Sequence, residues 1–286
     1  MDSKIQPILC CVGDAVAGRP TQFLMERAFD AAQCDWRVIT VEVRPQDFHT
    51  ALEGMRAMKF TALRFFPEFQ QLSASLLLDQ PSSPFAAVTS VMRRGDDWDC
   101  WDNQGLGLLG LIENAAPASG TLLWLHGRSR LTCSLWHALQ LSQYAPGRVL
   151  WSGTEEVPPL HLDSDTLETA GLSAESVSLA EIEQTLQEVL SPPHAFTHIV
   201  VVGEGLAEQL PKLSHLEVDG EVRLLLATNQ LLTRQQVNVA WASGKATVFS
   251  ESDQLLAAEA YDFRRWAGQP ADMDLLRDAY DEYADF

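Results

Sequence analysis

The chain has 286 residues, 46% of them hydrophobic and 21% charged, enough for one large globular domain or two smaller ones at about 100–200 residues each. Lys and Arg number 20 against 39 Asp and Glu, a formal charge of −19. That balance excludes a nucleic-acid binder, which needs a cationic face to displace phosphate counterions.

In chain order, Ile8-Leu9-Cys10-Cys11-Val12 reads as a short buried strand ending at Gly13-Asp14. Thr21 then caps a helix in which Phe23, Ala28 and Ala31-Ala32 recur at helical spacing. Residues 37–43 form a β-branched strand, and Pro45 opens a helix with Phe48, Leu52, Met55 and Met58 on one side. Residues 61–66 are a third strand, stopped by Pro67. This alternation predicts a parallel α/β sheet.

A Pro/Ser break at 80–84 precedes two short strands, 85–92 and 97–101, around the turn Arg93-Arg94-Gly95-Asp96. A second α/β unit starts near Gly105. It carries strands at 121–125, 148–151, 198–202 and 222–227, with helices at 129–144 and 179–190. Segment 157–178 is polar and reads as an irregular excursion. Two helices, about 253–266 and 271–283, close the chain on either side of Gly268-Gln269-Pro270. The expected fold is α/β: a first domain over 1–104, a second over 105–250, and helices of 251–286 returning to the first.

No apolar run approaches the ~20 residues of a membrane helix, and the start lacks an export pattern. The five cysteines are odd in number and show no C-x-x-C spacing, which fits reduced thiols in a cytoplasm. The histidines lack metal-ligand spacing, so no metal site is expected. Residues 149–211 hold eleven acids and no Lys or Arg. The simplest role of that charge is a solvated, soluble surface.

Five segments carry a family pattern. Residues 13–23, Gly13-Asp14-Ala15-Val16-Ala17-Gly18-Arg19-Pro20-Thr21-Gln22-Phe23, stand in register with G-x-P-x-x-H-S-x-S-P-x-x-H. Leu63-Arg64-Phe65-Phe66-Pro67-Glu68-Phe69 stands where N-V-T-V-P-F-K is found, and Ala86-Ala87-Val88-Thr89-Ser90-Val91 where G-A-V-N-T-V is found. Trp101-Asp102-Asn103-Gln104-Gly105-Leu106-Gly107 is similar to Y-N-T-D-G-x-G, and the stretch with Phe263, Trp266 and Gly268 to F-x-x-W-x-G. In this order and over nearly the whole chain, they resemble the shikimate dehydrogenase family.

The resemblance implies an α/β substrate domain, a Rossmann domain and an active-site cleft between them. It also implies a Lys and an Asp bracketing the substrate hydroxyl, because the reacting O–H needs a titratable group in hydrogen-bond reach and an ammonium steadies the developing alkoxide. Here the Lys position holds Phe69 and the Asp position Gln104. The other substrate positions fall on Arg19, Thr21, Phe65, Thr89 and Ala258. A phenyl ring moves no proton, and an amide does not titrate usefully, so no catalytic residue is assigned. A one-residue slip would bring Glu68 or Asp102 into the site. Arg19 is the pocket candidate that would pair with a small carboxylate; strand alternation points Arg64 away.

A dinucleotide fingerprint wants three glycines after the first Rossmann strand. Of His126-Gly127-Arg128-Ser129-Arg130-Leu131, only Gly127 remains. Gly127, Arg128, Ser129 and Arg130 are the weak cofactor candidates. After the next strand, Glu155 and Glu156 would repel a 2′-phosphate, so the expected cofactor is none or NAD, with NADP disfavoured. His126 and His137 read as packed or surface residues, and Trp98, Trp101, Trp124 and Trp136 as core or cleft residues. The expected function is a weak or inactive dehydrogenase that binds a small carboxylate or a protein partner. The alternatives are an active NAD(P)-dependent oxidoreductase with rearranged groups and a non-catalytic interaction or regulatory subunit.

Overall fold

Strand β1 (Ile8–Gly13) is buried on both faces, as a parallel strand between two helical layers must be. In the computed structural model it pairs in parallel with β2 (Arg37–Glu42) and β3 (Ala62–Phe65). Helices α1 (Thr21–Ala31), α2 (Phe48–Ala57, entered through a 3-10 turn at Pro45–Asp47) and α3 (Pro67–Leu77) follow the three strands. The parallel sheet read from the alternation therefore holds for β1–β3. A hairpin of β4 (Ser90–Arg94) and β5 (Asp97–Trp101) extends it antiparallel, in the order β2-β1-β3-β4-β5. Arg94 faces Asp97 across the turn, and Gly95 has φ +65°, the backbone a two-residue turn reserves for glycine. The first helix departs from expectation at its start. Pro20 is the N-cap residue, and Thr21 is already helical. Met58, expected beside Phe48, Leu52 and Met55, is 65% exposed because α2 ends at Ala57.

The second sheet opens after α4 (Asn103–Ala115). Strands β6 (Thr121–His126), β7 (Arg148–Ser152), β8 (Glu175–Val177), β9 (His198–Gly203), β10 (Arg223–Ala227) and β11 (Ala246–Phe249) are all parallel. Their order is β11-β10-β9-β6-β7-β8, the doubly wound order of a dinucleotide-binding fold, with its switch point between β6 and β9. Helices α5 (Arg130–Leu141), α6 (Ile182–Leu190) and α7 (Leu206–Leu213) connect these strands. Helices α8 (Glu251–Ala267) and α9 (Met273–Ala284) end the chain.

The described residues are 6–78, 87–153, 172–190, 196–213 (backbone only at 210–212), 222–228, 232, 236, 237, 241 and 245–285. The Pro/Ser break at 80–84, Glu155, Glu156 and most of the 157–178 excursion lie outside them. The chain forms two compact units, residues 1–107 with 256–286 and residues 108–255, the division falling inside α4 and α8. In the first unit strand alternation sends Leu9, Cys11 and Ala62 to a core with α1, α8 and α9. Cys10, Val12, Leu63 and Phe65 go to an opposite core with α2 and α3. In the second unit one core is built on Leu122, Trp124, Ile199, Val201, Leu224 and Leu226, and alternation turns Leu123, Leu125, Val200 and Val202, also buried, to the opposite face of the sheet.

Candidate functional site

The positions matched to family substrate residues lie in the first unit. Phe65 ends β3 on the face turned to α2 and α3. Two residues later Pro67 starts α3, so Phe69 enters the same core. Its ring stacks face to face on Phe48 at 4.3 Å, and Phe65 meets Phe48 edge-on at 5.7 Å. Phe65 and Phe69 are fully buried. Where the family pattern has a lysine, the chain has a packed aromatic trio.

Arg19 and its surroundings are held by one another. Its guanidinium makes two hydrogen bonds to Glu68, at 2.9 and 3.1 Å, donates through Nε to the Ala15 carbonyl, and lies 4.3 Å over the Phe66 ring. Glu68 Oε1 also accepts from the Asp14 amide at 2.8 Å. Burial by itself would raise the Glu68 carboxyl, but the amides of Glu68 and Asp14 and the Arg19 charge outweigh it and hold the group below its usual range. Glu68 is therefore an ionised clasp. Asp102 Oδ1 accepts from the Gln104 amide at the start of α4, a capping contact.

The remaining polar positions are turned inward. Thr89 Oγ1 donates to the Trp101 carbonyl and accepts from the Asn103 amide. The Thr21 hydroxyl donates to Glu259 at 3.0 Å. Ala258 is buried where α8 passes α4, and a Cβ on Gly107 would sit 2.6 Å from the Ala258 nitrogen, so that close approach requires glycine. Gln104, half-buried, follows the buried Asn103 on α4. Sequence reasoning missed the group that gathers these contacts. Arg64, on the face of β3 opposite Phe65, reaches Glu259 and Asp262 on α8 at 3.3 and 3.4 Å. A charged residue in an otherwise apolar strand, with two acids three residues apart on a late helix, was the available signal.

In the second unit the loop after β6 brings the four cofactor candidates together. Gly127 turns with φ +74°, and its amide donates to the Ser152 carbonyl at the end of β7. Gly203, ending β9, passes so close that a Cβ there would meet the His126 carbonyl oxygen at 2.3 Å. His126 is buried, with Nδ1 3.1 Å from Ser152 Oγ, which also accepts from Trp124 Nε1. Counting Gly127 as the first glycine of G-x-G-x-x-G, the second and third fall on Ser129 and Thr132. These two residues form a capping box. The Ser129 amide donates to Thr132 Oγ1 at 3.0 Å and the Thr132 amide to Ser129 Oγ at 3.3 Å.

A nicotinamide dinucleotide, the cofactor this topology implies, rests its pyrophosphate on free main-chain amides at this turn. Here side chains of the loop take two of those amides. The residues present do not fit the pyrophosphate cradle. Arg128 is exposed and Arg130 half-buried, flanking the capped turn.

Two α/β units, one with the doubly wound six-strand order, define the architecture of the two-domain dehydrogenases. More narrowly, the chain has the shikimate dehydrogenase fold, matched over nearly its whole length. It is similar to a shikimate 5-dehydrogenase of Listeria monocytogenes, solved with shikimate and NAD, at TM-score 0.67 and 14% identity, covering 97% of this chain and 98% of that one. It is also similar to the 5-ketofructose reductase of Gluconobacter sp. strain CHM43 (TM-score 0.65, 13% identity, 98% and 99% covered). The shikimate 5-dehydrogenase of Thermus thermophilus, in complex with shikimate, matches at TM-score 0.61 and 16% identity, over 96% and 97% of the two chains. No family model and no curated protein sequence matches the chain. The resemblance carried by the five sequence segments is thus a likeness of fold, with a sequence far diverged.

Proposed function

We propose that this shikimate-dehydrogenase-like chain has given up hydride transfer and acts by binding, as a non-catalytic member of an oxidoreductase fold. One observation carries the reading: the position matched to the family lysine is Phe69, fully buried and stacked on Phe48 at 4.3 Å. No proton can be exchanged there. The ionisable neighbours that would replace the lost pair are engaged within the unit, Glu68 by Arg19 and Asp102 by the Gln104 amide.

The capped turn after β6 supports a protein that holds no dinucleotide, and of the two nucleotides NAD is the one to test first. For the bound species, Arg19 already holds the carboxylate of Glu68, so a small carboxylate would have to displace it. A protein partner requires no such exchange and is the reading we favour. The five cysteines are free thiols, in keeping with a reducing cytoplasm.

The test is a spectrophotometric assay of the purified chain with shikimate and either nucleotide, paired with calorimetric titration. Absence of turnover and of stoichiometric nucleotide binding is the expected result. Steady reduction of NAD or NADP in the presence of shikimate overturns the proposal. Size-exclusion chromatography with candidate enzymes of the same pathway then reads the partner directly.

A further inference from the structure

Glu259 and Asp262 lie three residues apart on α8, and both are fully excluded from solvent. Arg64 from β3 is the cation that faces them. The three side chains, fully ionised, would leave an uncompensated negative charge in the interior, a costly arrangement. Cys11 from β1 faces the same group. Burial first, and then the Glu259 charge, push its thiol well above the ordinary value, so it stays neutral and adds no charge.

The other facing groups are uncharged, and they donate unevenly. Asp262 Oδ2 accepts from Ser90 Oγ on β4 and Asn103 Nδ2 on α4, while Oδ1 accepts from Trp101 Nε1 on β5. Glu259 Oε1 accepts from Thr21 on α1 and from Arg64. The fourth carboxylate oxygen, Glu259 Oε2, is buried with no hydrogen-bond partner. A bare anionic oxygen there would carry the full desolvation cost of a charge, more than the neutral O–H of a protonated carboxyl left without an acceptor.

We infer that the buried acid pair holds one proton at neutral pH, so that the cluster is a proton-sensitive brace holding α8 in the first unit and weakening when that proton leaves. Burial raises the Asp262 carboxyl to about 7, opposed by Arg64 and reinforced by the Glu259 charge. The titration belongs to the pair as a whole. In the unfolded chain a carboxyl releases its proton near pH ~4. The native state therefore holds a proton that the unfolded state has lost, and stability falls as pH rises from about 4 through about 7. Above that window the loss is complete.

Denaturant unfolding of the full chain between pH 5 and pH 8 tests this, comparing wild type with Glu259→Gln, whose side chain is neutral throughout. The wild-type unfolding constant should rise relative to the variant by up to ~10-fold per pH unit up to neutrality, the signature of one proton. Asp262→Asn should be less stable at every pH, because its amide N–H groups would face the donors of Ser90, Trp101 and Asn103. Equal pH slopes in wild type and Glu259→Gln overturn the inference. Should the variants fail to fold, infrared spectroscopy of the wild type decides. A protonated-carboxyl band present at pH 6, lost above neutrality and surviving Glu113→Gln (among the described residues the other carboxyl raised by burial) is expected; its absence overturns the inference.

Discussion

Phe48, Phe65 and Phe69 show how the position matched to the family lysine packs as core. Phe69→Ala removes a fully buried ring, and the helix behind it cannot collapse into the space. A loss of about 3–5 kcal/mol in urea denaturation is expected, with no dehydrogenase activity gained. Glu68 makes the opposite kind of contact, partly solvent-screened. Replacing it in Glu68→Ala should cost only about 1 kcal/mol, and less at high salt. Because its carboxyl is held below the ordinary range, its contribution is present above that range and lost as pH falls through the lowered value. The stability gap between wild type and Glu68→Ala should therefore close below about pH 4 in acid titrations. Phe69 and Gln104 were legible in the sequence as the wrong chemistry for proton transfer. What Phe69 does instead was not, because its stacking on Phe48, like the Arg19–Glu68 pairing, joins residues distant in the chain.

Among the elements, strands with β-branched or aliphatic runs were the most legible: β1, β2, β3, β6, β9 and β10 lie where periodicity and composition put them. Helix α4 escaped. Gly105, Gly107 and Gly110 lower its intrinsic propensity, yet the close passage of α8 over Gly107 requires the missing side chain. Tertiary packing overrode local preference there. β8 and β11 are only three and four residues long and draw their hydrogen bonds from neighbouring strands that local pattern does not reveal. The start of α5 was read one way and works another. Ser129 stands among the weak cofactor candidates, whereas with Thr132 it forms the helix cap. Ser129→Ala should lower stability by about 1 kcal/mol in thermal or chemical unfolding.

At the scale of the molecule, the first unit is completed by the end of the chain. Phe263, Trp266 and Leu276 are buried in the same core as Leu24, Met25 and Phe29, although more than two hundred residues separate them. A chain cut before Met273 loses the fully buried Leu276 and the Arg27–Glu282 pair. It should be destabilised by about 3 kcal/mol or more, read as faster proteolysis within residues 6–36 than in the full chain. The net charge of −19 favours solubility, but it concealed a distinction that matters. Most acids are solvated, and Glu259 and Asp262 are not.

By itself the sequence determined the α/β alternation, the likeness to the shikimate dehydrogenases and the absence of a titratable pair at the expected positions. Those properties are written in hydrophobic period and residue type, which are local. Only the tertiary structure decided that Ser129 and Thr132 cap the turn after β6, that Arg19 is held by Glu68, and that Arg64 meets two buried acids on α8. Protonation and pairing depend on burial and on neighbours within a few ångströms, and the fold supplies those neighbours from segments that no window of sequence spans.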